Sequence, residues 1–274
     1  MVSVLKASGE RVPFEEQKLR LSLLRVGAYE ALANKIVEEV VRVLYDGMST
    51  REIYRIAFRL LRQKSRALSA KYHLKRAIMR LGITGYPFEK YVAEIFRHKG
   101  YQSKNNQIIK GHCVNHEVDV VSNNKNKYIF IECKYHNFQG KKCELKIPLY
   151  VKSRFLDIAQ EQKSILSENL EMWLVTNTRF TSDATQYGRC AGLHLMAWDY
   201  PAGNGLKEHV ETSGLYPITC ITQLTKSELA ILFEKNIVLC QSILDDPSVL
   251  EKMRFSSERK ASVVEQCRAL LNDS

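Results

Sequence analysis

The run Tyr128-Ile129-Phe130-Ile131-Glu132-Cys133-Lys134 constrains this 274-residue chain more than any other stretch. It is dense in β-branched and aromatic residues, so it reads as a strand whose side chains alternate between two faces. Ile129, Ile131 and Cys133 then point into a core, while Tyr128, Phe130, Glu132 and Lys134 point the other way. A carboxylate and an ammonium thus project together from an otherwise apolar strand. Upstream, His116-Glu117-Val118-Asp119-Val120-Val121 reads as a second short strand, with Asp119 on the face opposite Val118 and Val120. An acid on one strand beside an acid and a lysine on the next can hold a divalent cation against a phosphodiester.

Asp119, with Glu132-Cys133-Lys134 following it, resembles the D…(D/E)xK core of the restriction-endonuclease-like superfamily. Three more segments resemble its Mrr-type branch: the helix Gly85-Tyr86-Pro87-Phe88-Glu89 through Phe96, the strand Trp173-Leu174-Val175-Thr176-Asn177-Thr178, and the stretch from Ala184 and Tyr187 to Leu193–Trp198. The resemblance implies a mixed sheet flanked by helices, an α/β fold, and a Mg²⁺-dependent endodeoxyribonuclease. Asp119 and Glu132 would be the metal ligands. Lys134 would orient or deprotonate the attacking water, or stabilise the phosphorane. Glu89, on the flank of an apolar helix face set by Phe88, Val92, Ile95 and Phe96, would be an auxiliary ligand to metal or water.

The net charge of +11 points to a polyanionic partner, and its distribution locates that preference. Residues 1–84 carry 17 Lys and Arg against 8 Asp and Glu, residues 85–216 carry 17 against 14, and residues 217–274 carry 7 against 8. The excess therefore sits in front of the expected catalytic region. Seven scattered cysteines without a CxxC pair argue for reduced thiols and a cytoplasmic setting. No apolar stretch is long enough to span a bilayer. Zinc at His112, Cys113, His116, Cys133, His136 and Cys143 fits no familiar spacing.

The N-terminal region begins as a hairpin, Ser3–Lys6 and Arg11–Phe14, turned at Gly9. Helices are expected at about 15–26 and 30–45, then from the Ser49-Thr50-Arg51-Glu52 cap, and last from Ser69 to Leu81 with Gly82 closing it. Val4-Leu5-Lys6, Gly9, Arg11, Pro13-Phe14 and Lys18-Leu19, with Thr50–Ile53 and Tyr72, resemble the ATP-cone. The resemblance implies ATP or dATP binding at Val4, Lys6, Gly9, Arg11 and Lys18. Ala7 stands where that family usually has an arginine, which puts one phosphate donor in doubt. The same region reads alternatively as an oligomerisation or DNA-contacting module, through Arg51, Arg55, Arg59, Arg62 and Arg66.

A basic loop follows the lysine strand, with Lys141, Lys142, Lys146 and Lys152 interleaved by Phe138 and Tyr150. A helix is expected from about Val151 to Glu168 and a strand over 172–177. After the turn-rich Pro201–Gly205, helices are expected near Thr225–Leu229, Asn236–Cys240, Leu250 and Ser256–Lys260, resembling a helix-hairpin-helix-like module. The expected units are an ATP-cone at 1–84, a nuclease domain at 85–203 and a small helical module at 217–274. The leading reading is a DNA endonuclease regulated by nucleotide, suited to defence against foreign DNA. A nucleotide-sensing DNA-binding regulator with a non-cutting nuclease fold is the rival, and RNA cleavage stays open. Homo-oligomerisation through the cone or tail stays open too.

Overall fold

The computed structural model describes residues 2–82, 85–138, 140–162, 169–251, 253 and 255–272. Strands β1 (Ser3–Leu5) and β2 (Arg11–Pro13) form the hairpin, and Gly9 turns it at φ +86°, where a side chain would be strained. Helices α1 (Glu16–Arg25) and α2 (Glu30–Arg42) follow, and β3 (Met48–Ser49) then adds to β1 in parallel. Ser49 caps α3 (Thr50–Lys64) by accepting from Glu52 N at 3.1 Å, as the motif foretold. The expected helix from Ser69 to Leu81 is instead two short ones, α4 (Arg66–Tyr72) and α5 (Leu74–Ile78), broken at His73. The His73 ring is held by Tyr54 Oη at 2.8 Å, and α5 already ends at Met79 rather than at Gly82.

Helix α6 (Tyr86–His98) leads into a five-stranded sheet of order β10-β8-β6-β5-β4. Strands β4 (Gln102–Lys110), β5 (Asn115–Asn123) and β6 (Tyr128–Lys134) run antiparallel. A two-residue strand β7 (Lys142–Cys143) and helix α7 (Lys146–Gln162) precede β8 (Leu170–Thr176), which pairs parallel to β6. The helix thus starts five residues before the expected Val151, and its expected end over 163–168 lies outside the described residues. Next come β9 (Arg179–Phe180), which pairs with β7, α8 (Ser182–Cys190), and β10 (His194–Met196), which lies parallel to β8.

The tail holds α9 (Leu206–Ser213), α10 (Lys226–Glu234), α11 (Cys240–Asp245) and α12 (Ser257–Asn272), with 3-10 turns at Ile218–Cys220 and Pro247–Leu250. Thr225 and Glu228 form the expected capping box of α10. Asn236–Leu239 is not helical, because Asn236 turns left-handed (φ +63°) and Leu239 bridges Pro217. No helix among the described residues is long and apolar enough to cross a membrane.

Two layers cover the sheet. Ile129, Ile131 and Val120 pack with Phe88, Tyr91 and Phe96 of α6, and that cluster continues through Leu74 and Ile78 into Ile218, Leu232 and Leu270. Phe130, Met172 and Leu174 pack on the other face with Val151 and Ile158 of α7 and Ala184 of α8. A third core, around Leu23, Ile36 and Leu61, belongs to the N-terminal helices.

Candidate active site

Strands β5 and β6 stay in register only to Val120↔Ile131, then part. Asp119 fills the opening: its Oδ2 accepts Cys133 N–H at 2.7 Å, in place of the ladder bond the strands no longer make. On the other side, the pairing of β4 with β5 skips the position where Asn106 faces Asp119, and Asn106 is left-handed at φ +50°. Asparagine tolerates that conformation better than most residues. The irregularity also breaks the expected alternation. Val118 joins the α7-side core and Val120 the α6-side core, so the two do not share a face.

Glu132 leaves β6 on the α7 side, where Arg154 Nη1 donates to its Oε2, and Arg154 Nη2 donates to Glu117 O. From α6, Glu89 reaches the same cluster. Asn106 Nδ2 donates to both Glu89 Oε2 and Glu117 Oε1, each at 3.4 Å. Gly85, at φ +83°, begins this helix, and a Cβ there would stand 3.7 Å from Glu89 Oε1 and from Tyr135 Cβ. The structure therefore brings Glu89, Asp119, Glu132 and Lys134 to one end of the sheet.

The carboxylates are crowded and partly desolvated. Burial, then the charge of Asp119, pushes Glu132 up to about 7 against the opposing pull of Arg154 and Lys134. Burial and Asp119 likewise push Glu89 up to about 7. Asp119 is raised by burial, while the Cys133 N–H and Arg154 oppose the shift. The backbone behind Lys134 is pinned. Thr176 Oγ1 donates to Lys134 O at 2.7 Å, and the buried Asn177 side chain accepts from His136 N and donates to His136 O, both at 2.8 Å.

Among the described residues no group of three or more His, Cys, Asp or Glu is placed to hold a metal. The implied Mg²⁺ needs no such cage: it keeps several waters and takes one or two carboxylates. Asp119 and Glu132, two oxygen donors whose proximity is costly without a cation, fit that requirement. Two of the His/Cys candidates are engaged elsewhere. His116 Nε2 pairs with Asp157 Oδ2 at 2.6 Å, and Cys143 is buried in the α7-side core.

In the N-terminal unit, Lys6 pairs with Glu10 (2.9 Å), Arg11 with Asp46 (3.4 Å) and Lys18 with Glu15 (2.6 Å). Each cation is thus held by its own acid and does not share an acceptor with the others. The Val4 side chain lies in the core, and its main chain belongs to the middle strand of the β2-β1-β3 sheet, paired with Val12 on one side and Met48 on the other. Sequence reasoning missed Asn106 and Arg154. A left-handed residue inside a strand and the phase of a helix against a neighbouring strand leave no local signal.

Family models match three stretches: an ATP cone domain over residues 2–80, a restriction endonuclease domain of Mrr type over 80–200, and an AF1548-like C-terminal module over 216–271. An uncharacterized protein of Archaeoglobus fulgidus is 30% identical over 184 residues, 66% of this chain and 99% of that protein. The crystal structure of AF1548, a protein of unknown function, is 30% identical, with TM-score 0.58 over 69% of this chain and 99% of that one. The structure of Can2 from Sulfobacillus thermosulfidooxidans in complex with cyclic tetra-adenylate is 15% identical, with TM-score 0.36 over 72% of this chain and 54% of that one. That last likeness is too distant to bear on the site.

Proposed function

The chain belongs to the family of AF1548 and joins an ATP-cone to a restriction-endonuclease domain, and from that premise we propose that it is a Mg²⁺-dependent DNA endonuclease governed by ATP or dATP at the cone. Defence against foreign DNA is the setting this combination suits. The units would be 1–84, 85–203 and 217–274. The observation that supports the reading best is the fork between β5 and β6, where Asp119, Glu132 and Lys134 meet.

In this reading Asp119 and Glu132 hold the cation through hard carboxylate oxygens, and Glu89 orients a water at the α6 side of the cluster. When bound, Mg²⁺ lowers the pKa of a coordinated water and offsets charge on the scissile phosphate. Lys134, whose backbone carbonyl is held by Thr176, positions the attacking water or stabilises the crowded phosphorus. The cone's Lys6, Arg11 and Lys18 exchange their surface acids for nucleotide phosphates, a small cost because exposed pairs contribute little.

The test is incubation of the full chain with plasmid DNA, with and without Mg²⁺, EDTA, ATP and dATP. Cleavage that needs Mg²⁺ and disappears in Asp119→Ala, Glu132→Ala and Lys134→Ala is the expected result. DNA binding without cleavage would replace this reading with a non-cutting regulator.

A further inference from the structure

Arg154 is the cation at this site that neither the strand pattern nor the D…ExK spacing announces. Its side chain is 11% exposed and that of Glu132 is 18% exposed, so this is a largely desolvated pair. A guanidinium has five N–H donors, and two are used here, on Glu132 Oε2 and Glu117 O. The helix that carries it is fixed in place one turn further on. The Asp157 carboxylate accepts from Cys113 N at 2.8 Å, Val114 N at 3.3 Å and His116 Nε2 at 2.6 Å, which ties α7 to the β4–β5 hairpin. On its outer side, Arg154 Cζ lies 5.3 Å from the ring of Tyr150, which is 58% exposed. The guanidinium is therefore held between the carboxylate cluster and the solvent edge of the site.

A cation taken up by Glu132 would draw on the charge that Arg154 now neutralises. A buried guanidinium that loses its anion is costly, and a phosphate oxygen is the acceptor its planar fork matches best. We infer that Arg154 is the substrate-phosphate ligand of this site: without cation it neutralises Glu132, and with Glu132 committed to a cation it engages a non-bridging oxygen of the phosphodiester. The inference rests on the nuclease reading above and adds the group that couples cation binding to substrate binding. The simpler alternative is a counter-ion that only lets Glu132 be buried.

Two titrations on the full chain separate them, neither of which needs cleavage. Ca²⁺ binding without DNA is followed by calorimetry, and binding of a labelled duplex in Ca²⁺ by fluorescence anisotropy. Arg154→Gln should bind Ca²⁺ more tightly than wild type, because a competitor for Glu132 is gone, yet bind duplex about tenfold more weakly. Arg154→Lys should melt near wild type but recover only part of the duplex affinity, since it keeps the charge and loses the fork. Wild-type duplex affinity in Arg154→Gln, or full recovery in Arg154→Lys, would overturn the inference. If Arg154→Gln does not fold, Arg154→Lys decides alone: undiminished duplex affinity sinks it. Wild-type protein that cuts nothing while these titrations behave as expected would count against the nuclease reading only.

Discussion

Asn106 does unusual work for a residue in the middle of a strand. Its left-handed backbone opens the sheet beside Asp119, and its amide spans Glu89 and Glu117. Asn106→Gly should fold with near-normal stability, whereas Asn106→Val should lose about 1–3 kcal/mol, because a β-branched side chain is strained at that φ. Denaturant midpoints check this. The carboxylates it borders make a second prediction. Glu89 and Glu132 are raised to about 7, chiefly by burial and then by Asp119, so the folded state keeps protons that the unfolded chain has released. Stability from these two groups is present at low pH and lost as pH rises from their ordinary range through about 7. Cation-free wild type should thus lose melting temperature across that window relative to Glu132→Gln. Ca²⁺ affinity should rise over the same window, because only the deprotonated carboxylates bind. Strand alternation and the family resemblance singled out Asp119, Glu132 and Lys134, which the structure brings to one end of the sheet. Asn106 and Arg154 were not legible, since their roles arise only when three elements meet.

At the scale of elements, legibility followed apolar pattern. Helix α6 and strands β5, β6 and β8 were expected close to where they lie, and caps located α3 and α10. Strand β4 went unread because Gln102–Lys110 is rich in Asn, Gln and Lys and forms a sheet edge rather than a core. The break at His73 depends on a contact with Tyr54, nineteen residues away. The Thr176-Asn177-Thr178 stretch, noticed as a family likeness, turns out to have a structural task. Asn177 satisfies both backbone groups of His136, so Asn177→Ala should cost about 2–4 kcal/mol by leaving them unpaired in the interior. The loss should appear in chemical denaturation as a lowered midpoint with an unchanged slope.

Across the whole molecule, positive charge and apolar packing divide the chain differently. Ala70 to Leu81 of the N-terminal region belong to the same apolar cluster as α6 and the tail, and Thr219 Oγ1 donates to Ala77 O at 2.7 Å. Sequence composition marks the units but carries no trace of this shared packing, which arises between segments far apart in the chain. Charge remains concentrated in front. Arg51, Arg55, Arg59 and Arg62 are exposed and fall within about 80° of one face of α3, by the ~100° step per residue of a helix. Glu52 is the only acid in that helix. If DNA lies along this face, replacing the four with Gln should make the slope of log affinity against log salt shallower by about 3 to 4. Anisotropy titrations at several salt concentrations measure it, and an unaltered slope would place the duplex elsewhere.

Met79 stands at the end of α5, where its carbonyl accepts from Tyr135 Oη at 2.8 Å and its sulfur accepts from Asn177 Nδ2 at 3.1 Å. Tyr135 directly follows Lys134, and Asn177 directly follows the end of β8. One methionine is therefore wired in series with both strands that carry the ammonium and its brace. A shift of α5 by a single ångström would strain both links at once, so movement of the front of the chain at this joint would reach first the residues that directly follow the two strands.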